Sequence, residues 1–147
     1  MKFKIIEAYL DSDNKFWDYN TKDITKWVIP DKLPLSTEIF DTSTLGGYSQ
    51  YLDYLHDKKN IMYITANDYF EQCAKGFGNS FSAQVRQVEN DREVLDHLRQ
   101  VIFKYHKSFP MPYISKSNGA KQEGRHRVYI FAELYSWNKS FPCLILP

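Results

Sequence analysis

Between Asp91 and Lys107, apolar residues recur at the spacing of one face of an α-helix, and two prolines follow. The apolar positions fit the i, i+3, i+4, i+7 pattern: Val94, Leu95, Leu98, Val101, Ile102 and Tyr105. Asp91 has the side chain of an N-cap, and Pro110 and Pro112 prevent the helix from continuing. This segment predicts the strongest helix of the chain, and it predicts that the second half of the chain builds the core.

A strand followed by a helix is predicted upstream of this segment. Residues 61–64 form a short apolar run typical of a strand, and residues 65–68 resemble a capping box with aspartate as its acid. We therefore expect a helix from about Ala66 to Ala74. The glycine-rich stretch 76–80 ends it.

Downstream, strands and a helix alternate over short distances. Residues 112–115 predict a strand, a polar turn centres on Asn118 and Gly119, and residues 121–123 lead back as a second short strand. Gly124 opens a helix that runs to about Tyr135. Residues 141–146 then predict a buried strand. The expected fold class is mixed α+β, with a small mixed sheet packed with helices.

The first sixty residues carry weaker signals. Residues 3–9 are typical of a strand, residues 11–44 of a loop rich in aromatic side chains, and residues 48–56 of a short helix. We interpret residues 1–60 as an N-terminal extension packed on a core of residues 61–147. The 147 residues suit one compact domain, and nothing indicates a role for residues 10–60.

Charge and composition favour a cytoplasmic protein. The formal net charge is +1, so no global field directs the chain to nucleic acid or to an anionic membrane. The charges among residues 1–7 do not fit a signal peptide, and no apolar run approaches the ~20 residues that span a bilayer. Cys73 and Cys143 are expected to be free thiols, and His56, His97 and His106 to be surface residues.

The strongest candidate site is the predicted start of the last helix, Gly124-Arg125-His126-Arg127. Backbone N–H groups at a helix N-terminus lack intrahelical partners, and the helix dipole is positive there. Gly124 leaves room for an anion, Arg127 offers a planar fork of donors, and His126 can donate a hydrogen bond or a proton. The alternative is a plain helix start whose basic side chains face solvent or pair with Glu123 and Glu133.

Two further groups are weaker candidates. Glu123 is placed to act as a general base or as a ligand for Mg²⁺ beside bound phosphates, but such a residue is more often the partner of a neighbouring arginine. No metal site built by the protein alone is predicted. Residues 76–80 are a second anion-binding candidate, with Lys75, Arg86 and Arg92 nearby, and the alternative is a helix end and loop.

In its order of elements and motifs, the second half resembles the ParB/sulfiredoxin-like superfamily. The matching stretches are residues 112–115, 123–129 and 141–145, and the likeness covers roughly residues 61–146. It looks most similar to small bacteriophage proteins that carry Glu-Gly-Arg-His-Arg. The resemblance implies a superfamily fold, phosphates of a nucleotide or nucleic acid bound at the helix start, and a phage-encoded protein acting in the host cytoplasm.

Two departures from the superfamily pattern limit what the resemblance implies. Sulfiredoxins carry their catalytic cysteine where this chain has Arg125, so sulfinic-acid reduction is not expected. ParB-type proteins usually have an acid at that position, and here the nearest acid is Glu123. No DNA-binding segment follows the motif, so a chromosome-partition role is not expected either.

The leading functional hypothesis is a nucleotide- or phosphate-binding domain. If it is catalytic, as a nucleotide phosphohydrolase, a phosphotransferase or a nuclease, Glu123, His126 and Arg127 are the catalytic candidates, and Mg²⁺ would come with the nucleotide. One alternative is a non-catalytic protein that interacts with a host or virion protein. The other is a DNA-binding or nuclease accessory, against which the near-neutral charge counts.

Overall fold

The computed structural model describes residues 33–46, 49–103 and 105–147. The predicted strand at residues 3–9 lies outside these ranges, as does most of the predicted aromatic-rich loop. Within them the chain is a mixed α+β protein, as the sequence predicted.

The described residues form six strands and four α-helices, joined by short 3₁₀ turns. The strands are β1 (Phe40–Leu45), β2 (Ile61–Thr65), β3 (Phe109–Met111), β4 (Tyr113–Ser115), β5 (Gln122–Glu123) and β6 (Ser140–Leu146). The helices are α1 (Ala66–Phe77), α2 (Phe81–Glu89), α3 (Arg92–Phe103) and α4 (Arg125–Leu134), and the 3₁₀ turns are Ser36–Glu38, Ser49–His56 and Lys58–Asn60.

The main sheet has the strand order β2-β6-β4-β5. Strand β6 runs antiparallel to β2 and parallel to β4, and β4 and β5 form the predicted antiparallel hairpin. The sheet is therefore mixed, as expected. A second, two-stranded sheet pairs β1 with β3 in parallel.

Local sequence explains where the helices begin. The Thr65 side chain accepts a hydrogen bond from the Asp68 amide, and the Asp68 carboxylate accepts one from the Thr65 amide, which completes the predicted capping box of α1. Gly78 ends α1 in the left-handed region at φ 68°. The Ser80 side chain then caps α2, a helix that the sequence analysis missed. Residues 76–80 are thus the end of one helix and the cap of the next.

The core contains the predicted α3 face, with Leu98 fully buried. It also contains Ile39 and Phe40, which the sequence analysis placed in the extension packed on the core, so both parts of the chain contribute to it. The Phe40 ring lies 5.7 Å from that of Phe131 and 5.5 Å from that of Phe141, measured between centroids. The start of β1 and the residue before it are therefore part of the folded core, and aromatic packing of Phe40 is the reason.

Burial settles two further expectations. His97 is only 3% exposed, so its prediction as a surface residue is wrong: it lies on a helix that is buried over most of its circumference. Cys73 and Cys143 are buried free thiols, as predicted. None of the described helices has both the length and the apolar character needed to cross a membrane.

Candidate functional site

The start of α4 follows β5 directly and is contacted by Pro110 and Pro112 and by the loop after β1 at Gly46. Gly124 follows β5 directly and is the N-cap of α4, with φ 122° and ψ 13°. An L-amino acid with a side chain is strained at this φ, so the sharp turn from strand to helix requires glycine. Because glycine also has no side chain to cap the helix, the first N–H groups of α4 receive no side-chain acceptor from this position.

The space beside Gly124 is filled by the protein itself. A Cβ atom at this position would lie 2.6 Å from the Pro112 Cβ and 2.9 Å from the Arg127 Nη2. The absent side chain therefore makes room for Pro112 and Arg127, whereas the sequence analysis expected it to make room for an anion.

Arg127 is the most deeply buried charged residue of the site, at 2% exposure. Its guanidinium donates to both carboxylate oxygens of Glu123, at 2.9 and 2.5 Å, and its Nε donates to the Pro110 carbonyl at 3.1 Å. The loop after β1 closes over this pair, since a Cβ on Gly46 would lie 2.2 Å from the Arg127 Nη2. The guanidinium expected to clamp phosphate is thus part of an internal ion pair.

Glu123 is fixed by the same contact. Both of its carboxylate oxygens accept hydrogen bonds from Arg127, one helical turn further along the chain. A general base or a magnesium ligand needs a lone pair directed at its target. The structure instead gives this carboxylate the role of balancing the buried arginine, which is the alternative considered for it from the sequence.

His126 lies on a different side of α4, against the start of α3. Its Nε2 is 2.7 Å from Asp91 Oδ2. Burial is the largest influence on this imidazole and lowers its pKa, and the Arg125 and Arg127 charges lower it further, while the bond to Asp91 acts in the opposite direction. The ring is therefore neutral at neutral pH. With Asp91 accepting from Nε2–H, the Nδ1 atom carries the lone pair.

Arg125 lies against the helix that the sequence analysis missed. Its Nη1 donates to the side-chain carbonyls of Gln84 and Gln87, at 2.8 and 3.0 Å. The guanidinium carbon also lies 5.3 Å from the centroid of the Phe77 ring, and Phe77 is an exposed aromatic residue. Among the described residues no carboxylate pairs with Arg125. Its positive charge is thus held in place by neutral groups only.

The basic side chains at the helix start therefore differ in how their charge is balanced. Three basic residues at the positive end of a helix repel that end unless negative charge lies beside them. Glu123 balances Arg127 and Asp91 accepts from His126, which leaves Arg125 as the basic side chain of the helix start without an acidic partner among the described residues. We call the surface formed by Phe77, Gln87, Arg125 and His126, with the buried Gln84 beneath it, the Arg125 face.

Tyr69 and the two cysteines line the interior behind the site. The Tyr69 hydroxyl lies within hydrogen-bonding distance of the Tyr113 carbonyl and of Gln122 Oε1, at 3.2 and 3.1 Å. Burial raises the pKa of Cys73 to about 12 and raises those of Tyr69 and Cys143 well above their ordinary values. These groups stay protonated, and the thiols are unsuited to nucleophilic chemistry.

The described surface also has open clefts away from the helix start. One, of about 450 Å³, lies between the end of α3 and residues 33–39. Another, of about 320 Å³, is lined by Glu89, Arg92, Asp96, Arg99, Tyr129 and Leu95. Within residues 33–46, 49–103 and 105–147, no group of three or more acidic, histidine or cysteine side chains is arranged to hold a metal ion.

Several partners in the site were not assigned a role there from the sequence, among them Asp91, which accepts from His126. Gln84 and Gln87 belong to α2, whose signal was available in the Ser80 cap followed by Phe81, Val85 and Val88 at helical spacing. Gly46 and Pro110 reach the site through tertiary packing of β1 and β3, for which the local sequence carries no signal.

Comparison with protein-family models finds no match, and comparisons with curated proteins and with solved structures find none either.

Proposed function

We propose that this chain binds a nucleotide or another phosphorylated ligand at the Arg125 face. The observation that carries the proposal is the Arg125 guanidinium, which is oriented by two amide carbonyls at the positive end of a helix and has no carboxylate partner among the described residues. A planar guanidinium in this setting suits phosphate oxygens. The exposed Phe77 ring beside it suits stacking on a base, which favours a nucleotide over a bare phosphate.

We further propose that the fold is of the ParB/sulfiredoxin-like kind. Support comes from the order of elements: the β4–β5 hairpin leads to a glycine-capped helix, and the helix leads to a strand parallel to β4. The superfamily's phosphate position at the helix start agrees with a ligand at Arg125.

The proposal assigns the roles of the site residues differently from the sequence analysis. Arg125 contacts the phosphate. The Arg127–Glu123 pair fixes the start of α4 from inside, and its burial makes it a positioning pair. His126, held through Nε2 by Asp91, offers Nδ1 as the proton acceptor if the bound ligand is hydrolysed. Any Mg²⁺ would be bound chiefly by the ligand's phosphates, since the described residues assemble no carboxylate cluster.

The test is a panel of nucleotides and inorganic phosphate, with and without Mg²⁺, followed by calorimetric titration of wild type and Arg125→Gln. Loss of charge-assisted hydrogen bonds is expected to weaken binding roughly 10- to 100-fold. Arg86→Gln is the matched control, because Arg86 is an exposed arginine on α2. Equal binding by wild type and Arg125→Gln, with Arg86→Gln unchanged, would contradict the proposal.

The alternatives predict different outcomes in the same panel. A non-catalytic interaction protein would give no ligand-dependent shift in melting temperature. A nuclease or DNA-binding accessory would bind oligonucleotides with a strong salt dependence. A nucleotide-binding protein binds the mononucleotide with an affinity that depends on Arg125.

A further inference from the structure

Strand β2 forms one edge of the main sheet, and its open side is apolar. Among the described residues it pairs only with β6. Its sequence, Ile-Met-Tyr-Ile-Thr, contains no charge, proline or glycine, which are the usual features that protect an edge strand. Tyr63 is 66% exposed and Met62 51% exposed, although neighbouring residues of a strand point to opposite faces.

Proline in the neighbouring strand determines which backbone groups face outwards. Tyr63 lies opposite Pro142, which has no N–H to donate. In an antiparallel ladder, hydrogen-bonded and non-hydrogen-bonded pairs alternate, so Tyr63–Pro142 is a non-hydrogen-bonded pair. The Tyr63 N–H and carbonyl therefore point away from β6, into the open edge. The Leu144 amide, which donates to the Pro112 carbonyl on the opposite side, agrees with this alternation.

The outward N–H groups on either side of Tyr63 are already used. The Thr65 amide donates to the Asp68 carboxylate, and the Ile61 amide donates to the Lys58 carbonyl. The edge thus presents one complete donor–acceptor pair, at its midpoint. A two-fold axis through Tyr63 would satisfy this pair fully, because each Tyr63 N–H would donate to the carbonyl of the other.

We propose that β2 pairs antiparallel with β2 of a second copy of this chain, about a two-fold axis through Tyr63. Charge supports the same register. Lys58 and Lys59 precede the strand and Asp68 follows it, so the axis brings the basic end of one copy to the acidic end of the other. Met62 then faces Ile64 of the second copy. An isologous contact of this kind closes as a dimer and leaves no open edge on β2.

The first test is the mass of the full chain in solution by sedimentation velocity. The monomer is 17.4 kDa, and a concentration-dependent species of twice that mass is expected. Because the contact is small, we expect its Kd to be on the order of micromolar. Tyr63→Lys places like charges opposite each other on the axis and should weaken the dimer by ~10-fold or more.

Leu35→Lys is the matched control, since Leu35 is an apolar residue of equal exposure, at 67%, outside β2. It should dimerise like wild type. Two results would overturn the proposal. One is that only monomer is seen at a chain concentration ~10-fold above the expected Kd. The other is a dimer that Leu35→Lys weakens as much as Tyr63→Lys does.

A second measurement tests the register without relying on a disruptive variant. Paired residues on the axis have Cα atoms about 5.5 Å apart, which a disulfide can span. Mild oxidation with oxidised glutathione should therefore cross-link Tyr63→Cys into a covalent dimer, while Leu35→Cys stays monomeric under denaturing electrophoresis. The native cysteines are buried and do not interfere. If Tyr63→Cys fails to cross-link at concentrations where wild type is dimeric, the proposed pairing is wrong.

Discussion

Arg127 illustrates how burial changes the role of a charged residue. Its guanidinium is surrounded by Glu123, the Pro110 carbonyl and the backbone at Gly46, and solvent reaches almost none of it. A buried charge is tolerated only when its hydrogen bonds are satisfied, so this contact has to form whenever the protein folds. The ligand-binding role expected from the motif therefore gives way to a structural one.

Replacing Arg127 with methionine is expected to lower the free energy of unfolding by about 3 kcal/mol, because the change leaves Glu123 and a buried carbonyl without their partner. Urea denaturation measures the loss, and Arg86→Met, an exposed arginine, should stay within about 0.5 kcal/mol of wild type. A double-mutant cycle with Glu123→Gln should show strong coupling. If Arg127→Met unfolds like wild type but loses phosphate binding, Arg127 is the phosphate clamp after all.

His126 gives a pH-dependent prediction. Its pKa in the folded protein is lowered, chiefly by burial, with Arg125 and Arg127 acting in the same direction. The unfolded chain protonates at its ordinary pKa of about 6.5. The neutral ring therefore contributes stability fully above that pH, and this contribution is lost as the pH falls towards the folded pKa.

Proton NMR titration of the His126 ring measures this pKa directly. It should be below that of a histidine in a peptide, and lower still in Asp91→Asn, since Asp91 raises it. Saturating phosphate should raise it if the anion binds beside Arg125. A value above the peptide value in the free protein would show that Asp91 outweighs burial.

The sequence predicted the helix start at Gly124 correctly but not the distant partners of its basic residues. The spacing of Gly124 and the basic residues predicted a helix start, because turn and cap chemistry is local. The pairing of His126 with Asp91 joins residues 35 positions apart. That of Arg125 with Gln84 spans 41. No local pattern encodes such contacts. Which basic residues of the helix start have partners within the protein could therefore be seen only in the fold.

At the scale of elements, the α3 prediction is the most secure, and Leu98 tests it. Its side chain is fully buried in the main core. Leu98→Ala is expected to destabilise the protein by roughly 2–5 kcal/mol, the cost of a cavity in a packed core. Leu35→Ala, at an exposed position, should cost less than about 0.5 kcal/mol. If Leu98→Ala lowers the free energy of unfolding, measured with heat or urea, by less than about 0.5 kcal/mol, this face of α3 is not packed.

The elements that the sequence analysis missed were missed for different reasons. Strand β3 contains Pro110, and a proline argues against a strand unless the strand lies at an edge. Here β3 pairs on one side with β1, and Phe109 and Met111 are buried. Helix α2 has a cap and a helical pattern but lies between two stronger helices. Strand β3 was thus hidden by its proline and depends on tertiary pairing, whereas α2 was missed although its local signal was present.

At the scale of the whole molecule, one aromatic cluster joins segments that are far apart in the chain. Phe40 from β1 contacts Phe109 from β3, Phe131 from α4 and Phe141 from β6. Strand β1 is also one of the two strands of the second sheet, where it pairs with β3. The boundary between the N-terminal extension and the core, expected at residue 60, therefore runs through this cluster, since Phe40 lies before it and the other three rings lie after it.

A fragment of residues 61–147 tests that division. It lacks Ile39 and Phe40, and losing a buried phenylalanine alone costs roughly 3–5 kcal/mol. With β1 gone as well, β3 loses its only described partner and the backbone acceptor of its Phe109 amide. Domains are stable by only about 5–15 kcal/mol, so the combined loss approaches or exceeds the whole.

The fragment is therefore expected to lack a cooperative thermal transition and near-ultraviolet circular dichroism, and to bind hydrophobic dyes as loosely packed states do. The full chain with Phe40→Ala is the control: it removes one ring but keeps β1, so it should still unfold cooperatively, at a lower midpoint. The comparison separates the loss of one side chain from the loss of the strand. A fragment that unfolds sharply and binds no dye would mean that residues 61–147 are an independent domain, with Ile39 and Phe40 adding stability to a core that folds without them.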